Sequence, residues 1–308
     1  MKMKSIMSLL TLVFLCSVPA CAQDMNANHH SHNTPEPDPM VTQDWAKARL
    51  AKSPRHQEWV KVKSGDREVN SFVVYPEVKS KATAVVVIHE IFGMSDWVQS
   101  LTDQLAEAGY VAIAPDLLSG KGPNGGGTSS LDRAAIGQAI RDLPPDQITA
   151  DLNAVTDYVA KLPASNGKVV VAGYCWGGSQ TFRFATNNPN IKAAYVFYGA
   201  APMKGADGEV DKDALAKINA PVYGFYADND ARINATLPKT TEAMTELKKK
   251  FDPVTYEGAG HGFMRAGEAP EPADKAAADY QKALEAWKAN KKARDEAWAR
   301  WKKLLAAV

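Results

Sequence analysis

Residues Lys168 to Gly178 read KVVVAGYCWGG, and no other stretch limits the fold of this chain as tightly. A run of valines without polar alternation is a strand buried on both faces. It passes directly into Gly173-Tyr174-Cys175-Trp176-Gly177-Gly178, with glycines two residues either side of a cysteine. That is the G-x-nucleophile-x-G elbow with cysteine in the serine position. The spacing has a steric reason. A nucleophile on a tight, strained strand-to-helix turn needs neighbouring backbone to pass without meeting a Cβ. The turn also leaves the Trp176 N–H at a helix N-terminus, free to donate to an oxyanion. A glycine-rich turn around a packed cysteine is the bland reading of the same letters.

The rest of the body repeats the alternation of strand and helix. Trp59 to Lys63 and Glu68 to Tyr75 flank Ser64-Gly65-Asp66 and read as a hairpin. Ala84 to His89 is a second continuous apolar run. A helix from Asp96 to Ala108 stops at Gly109, and Val111 to Ala114 is the next strand. Helices are expected over Asp146 to Leu162, Gly177 to Asn187 and Thr236 to Lys250, with strands at Ala193 to Tyr198, Pro221 to Ala227 and Pro253 to Glu257. Buried strands separated by helices imply an α/β domain, a mostly parallel sheet covered by helices on both faces. Reactive groups in such sheets gather where the strands end. The Gly-rich run 119–130 lacks the terminal Gly-Lys-Ser/Thr of a phosphate cradle and reads as a mobile surface loop bordering the site.

The two ends differ from the body. Lys2 and Lys4 precede an apolar run from Ile6 to Val18, and Ala20-Cys21-Ala22 supplies a small-residue cleavage pattern. Residues 1–22 therefore read as an export signal. Val18-Pro19-Ala20-Cys21 also fits a loose lipobox, which would make Cys21 a lipid anchor. Either processing puts the mature protein outside the cytoplasm, in the periplasm, tethered to the outer membrane or secreted. Residues 23–41 are polar and proline-rich, and an unstructured tether is expected over 23–58 ahead of a folded body at 59–308. His29, His30 and His32 have no Cys or carboxylate at ligand spacing and read as solvated side chains.

Residues 273–308 are rich in Ala, Lys and Glu, with apolar stripes at Tyr280, Leu284 and Trp287 and at Trp298, Trp301 and Leu305. Asn290-Lys291-Lys292 interrupts them, which predicts two helices or a bent one. The stripe docks on the core or forms an oligomer surface. With 36 Lys and Arg against 35 Asp and Glu, the net charge of +1 gives no footprint for nucleic acid.

Cys16 and Cys21 fall in the leader, so Cys175 is the lone thiol of the body. In an oxidising compartment it has no disulfide partner. A cysteine nucleophile needs a base and an orienting acid. Of His56, His89 and His261, only His261 follows the last strand in a glycine-rich loop, whereas His89 ends a buried strand and is expected to be satisfied in place. The acid belongs at the end of the preceding strand, where Asp228 and Asp230 both qualify. Nucleophile, acid and histidine then occur in the chain order of the α/β-hydrolases.

His89-Glu90-Ile91-Phe92-Gly93, the Cys175 elbow and His261-Gly262-Phe263-Met264-Arg265 together resemble the dienelactone hydrolase (carboxymethylenebutenolidase-like) family, over roughly Trp59 to Arg265. The resemblance implies an α/β-hydrolase fold, a Cys-Asp-His triad and hydrolysis of a lactone or ester. It selects Asp230, with Ile233 three residues on, over Asp228. It implies that Glu90 contacts the resting thiol and helps activate it; a carboxylate paired to Arg265 is the plainer role. It puts the oxyanion between the N–H groups of Ile91 and Trp176, and a substrate carboxylate on Arg265 and Arg133, with Arg141 as the alternative to Arg133. The leader, the tether and the long C-terminal tail depart from the family pattern.

The chemistry implied is thiol attack on the carbonyl, with His261, oriented by Asp230, raising the thiolate fraction and protonating the leaving oxygen. Water then cleaves the thioester. No motif implies a metal or an organic cofactor. A general esterase or thioesterase is the nearest alternative, and a tethered, non-catalytic binding protein the more distant one.

Overall fold

The valine-rich runs become the centre of one sheet. The computed structural model describes residues 40–205 and 208–308; the leader, Cys21 and the histidines at 29, 30 and 32 lie outside the described residues. In chain order the elements are α1 (Asp44–Leu50), β1 (Gln57–Ser64), β2 (Arg67–Val74), β3 (Ala82–Ile88), α2 (Asp96–Glu107), β4 (Val111–Pro115), α3 (Arg133–Arg141) and α4 (Pro145–Ala160). They continue with β5 (Ser165–Tyr174), α5 (Trp176–Asn187), β6 (Ala194–Phe197), the short pair β7 (Met203–Lys204) and β8 (Glu209–Val210), α6 (Lys212–Leu215) and β9 (Val222–Ala227). The last are α7 (Ala231–Asn234), α8 (Leu237–Glu246), β10 (Phe251–Tyr256), α9 (Phe263–Ala266) and α10 (Tyr280–Leu305).

Among the described residues eight strands form one sheet, in the order β1-β2-β4-β3-β5-β6-β9-β10. β2 is antiparallel to both β1 and β4, and every other pairing is parallel. This is the mostly parallel sheet of an α/β-hydrolase, as expected. Alternate residues of a strand point to opposite faces, so an all-apolar strand feeds two cores. Val86, Ile88 and Val171 pack with Leu152, Val155 and Phe182 of α4 and α5. Val85, Val87 and Val170 pack with Trp97 and Leu101 of α2 and with Ala297 and Trp301 of α10. Each such side chain is fully buried, a contribution of about 1.5–3 kcal/mol for each Val, Leu, Ile or Phe. Because β3, β5, β9 and β10 run in one direction, the segments after them emerge on the same edge of the sheet.

Three expectations need correction. The tether expected over 23–58 is ordered in its described part. Helix α1 packs Ala46 into the core, the Gln43 N–H donates to Asp96 Oδ2 at 2.8 Å, and the Trp97 N–H donates to Gln43 Oε1 at 3.0 Å. Arg55 then forks onto the buried Asp103 through Nε at 2.9 Å and Nη2 at 2.7 Å. A seven-residue helix is too short to announce itself by periodicity and is stabilised by docking instead.

The C-terminal segment is one continuous helix of 26 residues, about 39 Å long, starting at Tyr280 rather than near 273. Its buried stripe is Ala293, Ala297, Trp301 and Leu305, and the interrupting polar residues find local partners, Lys291 pairing with Asp295 at 2.7 Å. The Gly-rich run 119–130, expected to be mobile, is pinned by Asp116. Its carboxylate accepts from the Thr128 N–H and Oγ1, both at 2.8 Å, and from the Leu118 N–H at 3.1 Å.

Candidate active site

Four segments meet at the carboxyl edge of the sheet, and the elbow is the tightest. Cys175 has φ 55° and ψ −116°, outside the regions comfortable for a residue with a Cβ. Such a conformation costs about 1–3 kcal/mol and persists only where the surroundings enforce it. They do so through glycine. A Cβ on Gly177 would lie 2.3 Å from the His89 carbonyl oxygen and 2.4 Å from that of Ile88, so β3 and the start of α5 touch backbone to backbone. This approach brings Ile91 beside Trp176, and the N–H groups of both bear on the Cys175 sulfur.

His89 plays no part in the reaction centre. It is fully buried, its Nδ1 lies 2.8 Å from the Glu90 carbonyl, its Nε2 accepts from the Leu117 N–H at 3.3 Å, and its ring stacks on Trp176. Burial pushes its pKa down. His261 is different. Its Nδ1–H donates to Asp230 Oδ2 at 2.5 Å, which leaves Nε2 as the free base nitrogen. The second Asp230 oxygen accepts from the Ile233 N–H at 3.4 Å, capping α7. The Asp228 carboxylate is exposed and, among the described residues, accepts from the Gly258 N–H at 3.4 Å, so Asp230 is the residue brought to the histidine.

The remaining charges sort themselves by partner. Arg265 Nε donates to Glu90 Oε2 at 2.8 Å; the carboxylate is 3% exposed and the guanidinium 17%. Glu90 is thus paired to Arg265, and its charge also bears on the thiol. Arg265 and Arg133 both lie over the Phe92 ring, 5.4 and 5.6 Å from its centre, so both arginines neighbour this residue of the site. Arg141 points elsewhere, its Nη2 donating to Gln138 at 2.8 Å. Burial, and then the Glu90 charge, push the Cys175 thiol up to about 11, against the weaker pull of the Trp176 N–H, Arg232 and the Ile91 N–H. The thiol is therefore neutral here near pH 7, contrary to the expectation that His261 enriches the thiolate.

Several residues at the site carry no signal in the sequence. Tyr198, fully buried at φ 41°, sets its ring edge-on to His261 at 5.0 Å, and its hydroxyl finds no partner among the described residues. Asn290 Oδ1 of α10 accepts from the N–H of Gly260, one residue before His261, at 2.8 Å. Just past α9, Glu268 is held by Arg294, by Trp97 Nε1 at 2.9 Å and by Gln104 Nε2 at 3.2 Å. Met40 reaches Arg265 from the N-terminal side, its sulfur accepting from Nη1 at 3.7 Å. Among the described residues no group of three or more His, Cys, Asp or Glu is placed to hold a metal ion.

A model of the dienelactone hydrolase family matches residues 69–308. The chain belongs to that family. A provisionally named carboxymethylenebutenolidase of Methylorubrum extorquens is 28% identical over 232 residues, covering 74% of this chain and 79% of its own. One of Salmonella typhi is 32% identical over 187 residues, 58% of this chain and 67% of its own. Among solved structures, a provisionally named dienelactone hydrolase of Klebsiella pneumoniae superimposes with a TM-score of 0.66 at 24% identity, covering 82% of this chain and 99% of its own. A dienelactone hydrolase-like promiscuous phosphotriesterase from metagenomic libraries gives 0.64 at 20% identity, covering 82% and 98%. These structures share the fold. The family makes this chain a carboxylic ester hydrolase, acting on lactone or ester substrates.

Proposed function

We propose that the chain hydrolyses a carboxylate-bearing lactone or ester through a Cys175-Asp230-His261 triad and a thioester intermediate. What supports this reading is that the Ile91 and Trp176 N–H groups bear on the Cys175 sulfur, at the edge of the sheet where Asp230 orients His261. The Glu90–Arg265 pair supplies the trigger. A substrate carboxylate arriving at Arg265 and Arg133 competes with Glu90 for the same guanidinium. Glu90, whose charge already reaches Sγ, then accepts the thiol proton. The thiolate attacks the carbonyl carbon, and the oxyanion forms between the two N–H groups. Collapse breaks the carbon–oxygen bond, the proton held by Glu90 reaches the leaving oxygen through His261 Nε2, and His261 then takes a proton from the water that cleaves the thioester and returns it to the sulfur. The reading extends to the leader, which directs export, with Cys21 as a lipid anchor; labelling by radioactive palmitate in cells that is lost in Cys21→Ser tests the anchor.

The enzymatic test sets a carboxylated dienelactone beside a neutral aryl ester, with Cys175→Ala as control. Fast turnover of the lactone, abolished in the variant, is expected. Turnover of the neutral ester alone would keep the triad and remove the role given to Arg265 and Arg133. Turnover that survives Cys175→Ala would remove the thioester.

A further inference from the structure

Beside the nucleophile, between α3, α4 and α5, lies a cavity of about 310 Å³, within the size range of small-molecule pockets. Ile140, Leu143 and Ile148 form its buried floor, and Ile91 and Trp176 form the wall next to the site. These last two are the residues whose N–H groups bear on Sγ. Each thus presents its backbone to the reacting carbonyl and its side chain to the cavity. A group attached to that carbonyl enters within one residue's width.

Three observations say what the cavity takes. Most of its lining is hydrocarbon, and the two guanidiniums that also line it keep their charge but are drawn to neutral partners, Arg141 to Gln138 at 2.8 Å and Arg183 to Thr149 Oγ1 at 2.9 Å. Ile91 stands 42% exposed at the cavity wall, an apolar side chain with nothing over it. Gly137 lies inside α3, where glycine is a poor helix former, and a Cβ there would meet only Arg141 Nη1 at 3.5 Å. The absence of a side chain at 137 keeps the space open.

The side of the carbonyl is also decided. His261 must protonate the leaving oxygen, so the leaving group lies towards the Asp230 and His261 loops. No residue of either loop lines the cavity. The acyl arm therefore faces it.

We propose, resting on the thiol mechanism above, that this cavity is an acyl-arm pocket. It takes an uncharged aryl or alkyl group and so extends the substrate class from compact lactones to esters with an apolar acyl arm. Gly137 lies one helical turn from Arg133, about 6 Å along the α3 axis, so a carboxylate and an apolar arm have separate stations on one helix.

The experiment compares p-nitrophenyl phenylacetate with p-nitrophenyl acetate, which share a leaving group, using the full chain, Gly137→Ala, Gly137→Leu and Cys175→Ala. The native chain is expected to favour phenylacetate by about tenfold or more in kcat/KM, the range for filling an apolar pocket. Gly137→Leu should remove that preference through KM and leave acetate turnover within about twofold. Gly137→Ala, the smaller change, should fall between, which separates filling of the cavity from loss of the fold. Equal loss for both esters in Gly137→Leu, or no preference in the native chain, overturns the pocket while leaving the thiol mechanism standing. Turnover of neither ester, with the carboxylated dienelactone still hydrolysed, overturns the pocket alone, whereas turnover untouched by Cys175→Ala overturns that mechanism and the pocket with it.

Discussion

The segment that carries Cys175 and the segment that carries His261 are built on opposite principles. The elbow is held by its own chain and by adjacent strands, backbone against backbone. A Cβ on Gly173 would lie 2.1 Å from the Gly177 carbonyl oxygen, and one on Gly177 would meet the end of β3. The His261 loop is held by side chains from far along the sequence: Asp230 on its imidazole, Asn290 on the Gly260 N–H, and Arg294, Trp97 and Gln104 on Glu268. A close-packed backbone contact has no slack, so the elbow tolerates no added atom. A set of hydrogen bonds can be loosened one at a time, so the base is adjustable where the nucleophile is not.

The largest effect that would sharpen this contrast belongs to Asp230→Asn. Asparagine keeps the cap on α7 but cannot hold the His261 tautomer, and ester turnover should fall on the order of 10⁴-fold with the melting temperature little changed. Next comes Gly177→Ala. Displacing β3 from α5 separates the Ile91 and Trp176 donors, with a loss on the order of 100- to 1,000-fold in kcat and about 3 kcal/mol or more in denaturant unfolding. Wild-type stability in that variant would break the claim that the elbow has no slack.

The third test reads the thiol directly. Alkylation of Cys175 in the free enzyme should rise about tenfold per pH unit and level off only near the thiol's pKa of about 11. Glu90→Gln removes a negative charge that opposes the thiolate, so its profile should move to lower pH; an unmoved profile would detach Glu90 from the thiol. Smallest is Asn290→Ala, which removes one hydrogen bond and should lower stability by about 0.5–1.5 kcal/mol and kcat only severalfold. A loss as deep as that of Gly177→Ala would erase the difference between the two segments.

Much of the site was legible before the fold, and for a local reason. The elbow is a property of eleven consecutive residues, and a buried strand followed by G-x-C-x-G has few conformations open to it. The order of nucleophile, acid and histidine followed from strand ends. The choice between Asp228 and Asp230 did not follow from the residues alone and took a family resemblance; in the structure it is Asp230 Oδ2 that meets the His261 Nδ1–H. Helix α1 and the unbroken α10 were missed because each is stabilised by what it docks on. Tyr198, Asn290 and Glu268 were missed because nothing adjacent to them in sequence marks them.

The sequence by itself determined the alternation of strand and helix, the cysteine at the elbow and the histidine after the last strand, since these depend on backbone sterics and on burial patterns a few residues long. The tertiary structure decided the electrostatics and the space. Glu90 and Arg265 are 175 positions apart, and their meeting at 2.8 Å beside the thiol, like the reach of Arg232 to it, exists only in the folded chain. The cavity beside Ile91 exists only because three helices leave a glycine facing it. Charge and volume at a site are sums over neighbours in space, and the chain order does not list those neighbours.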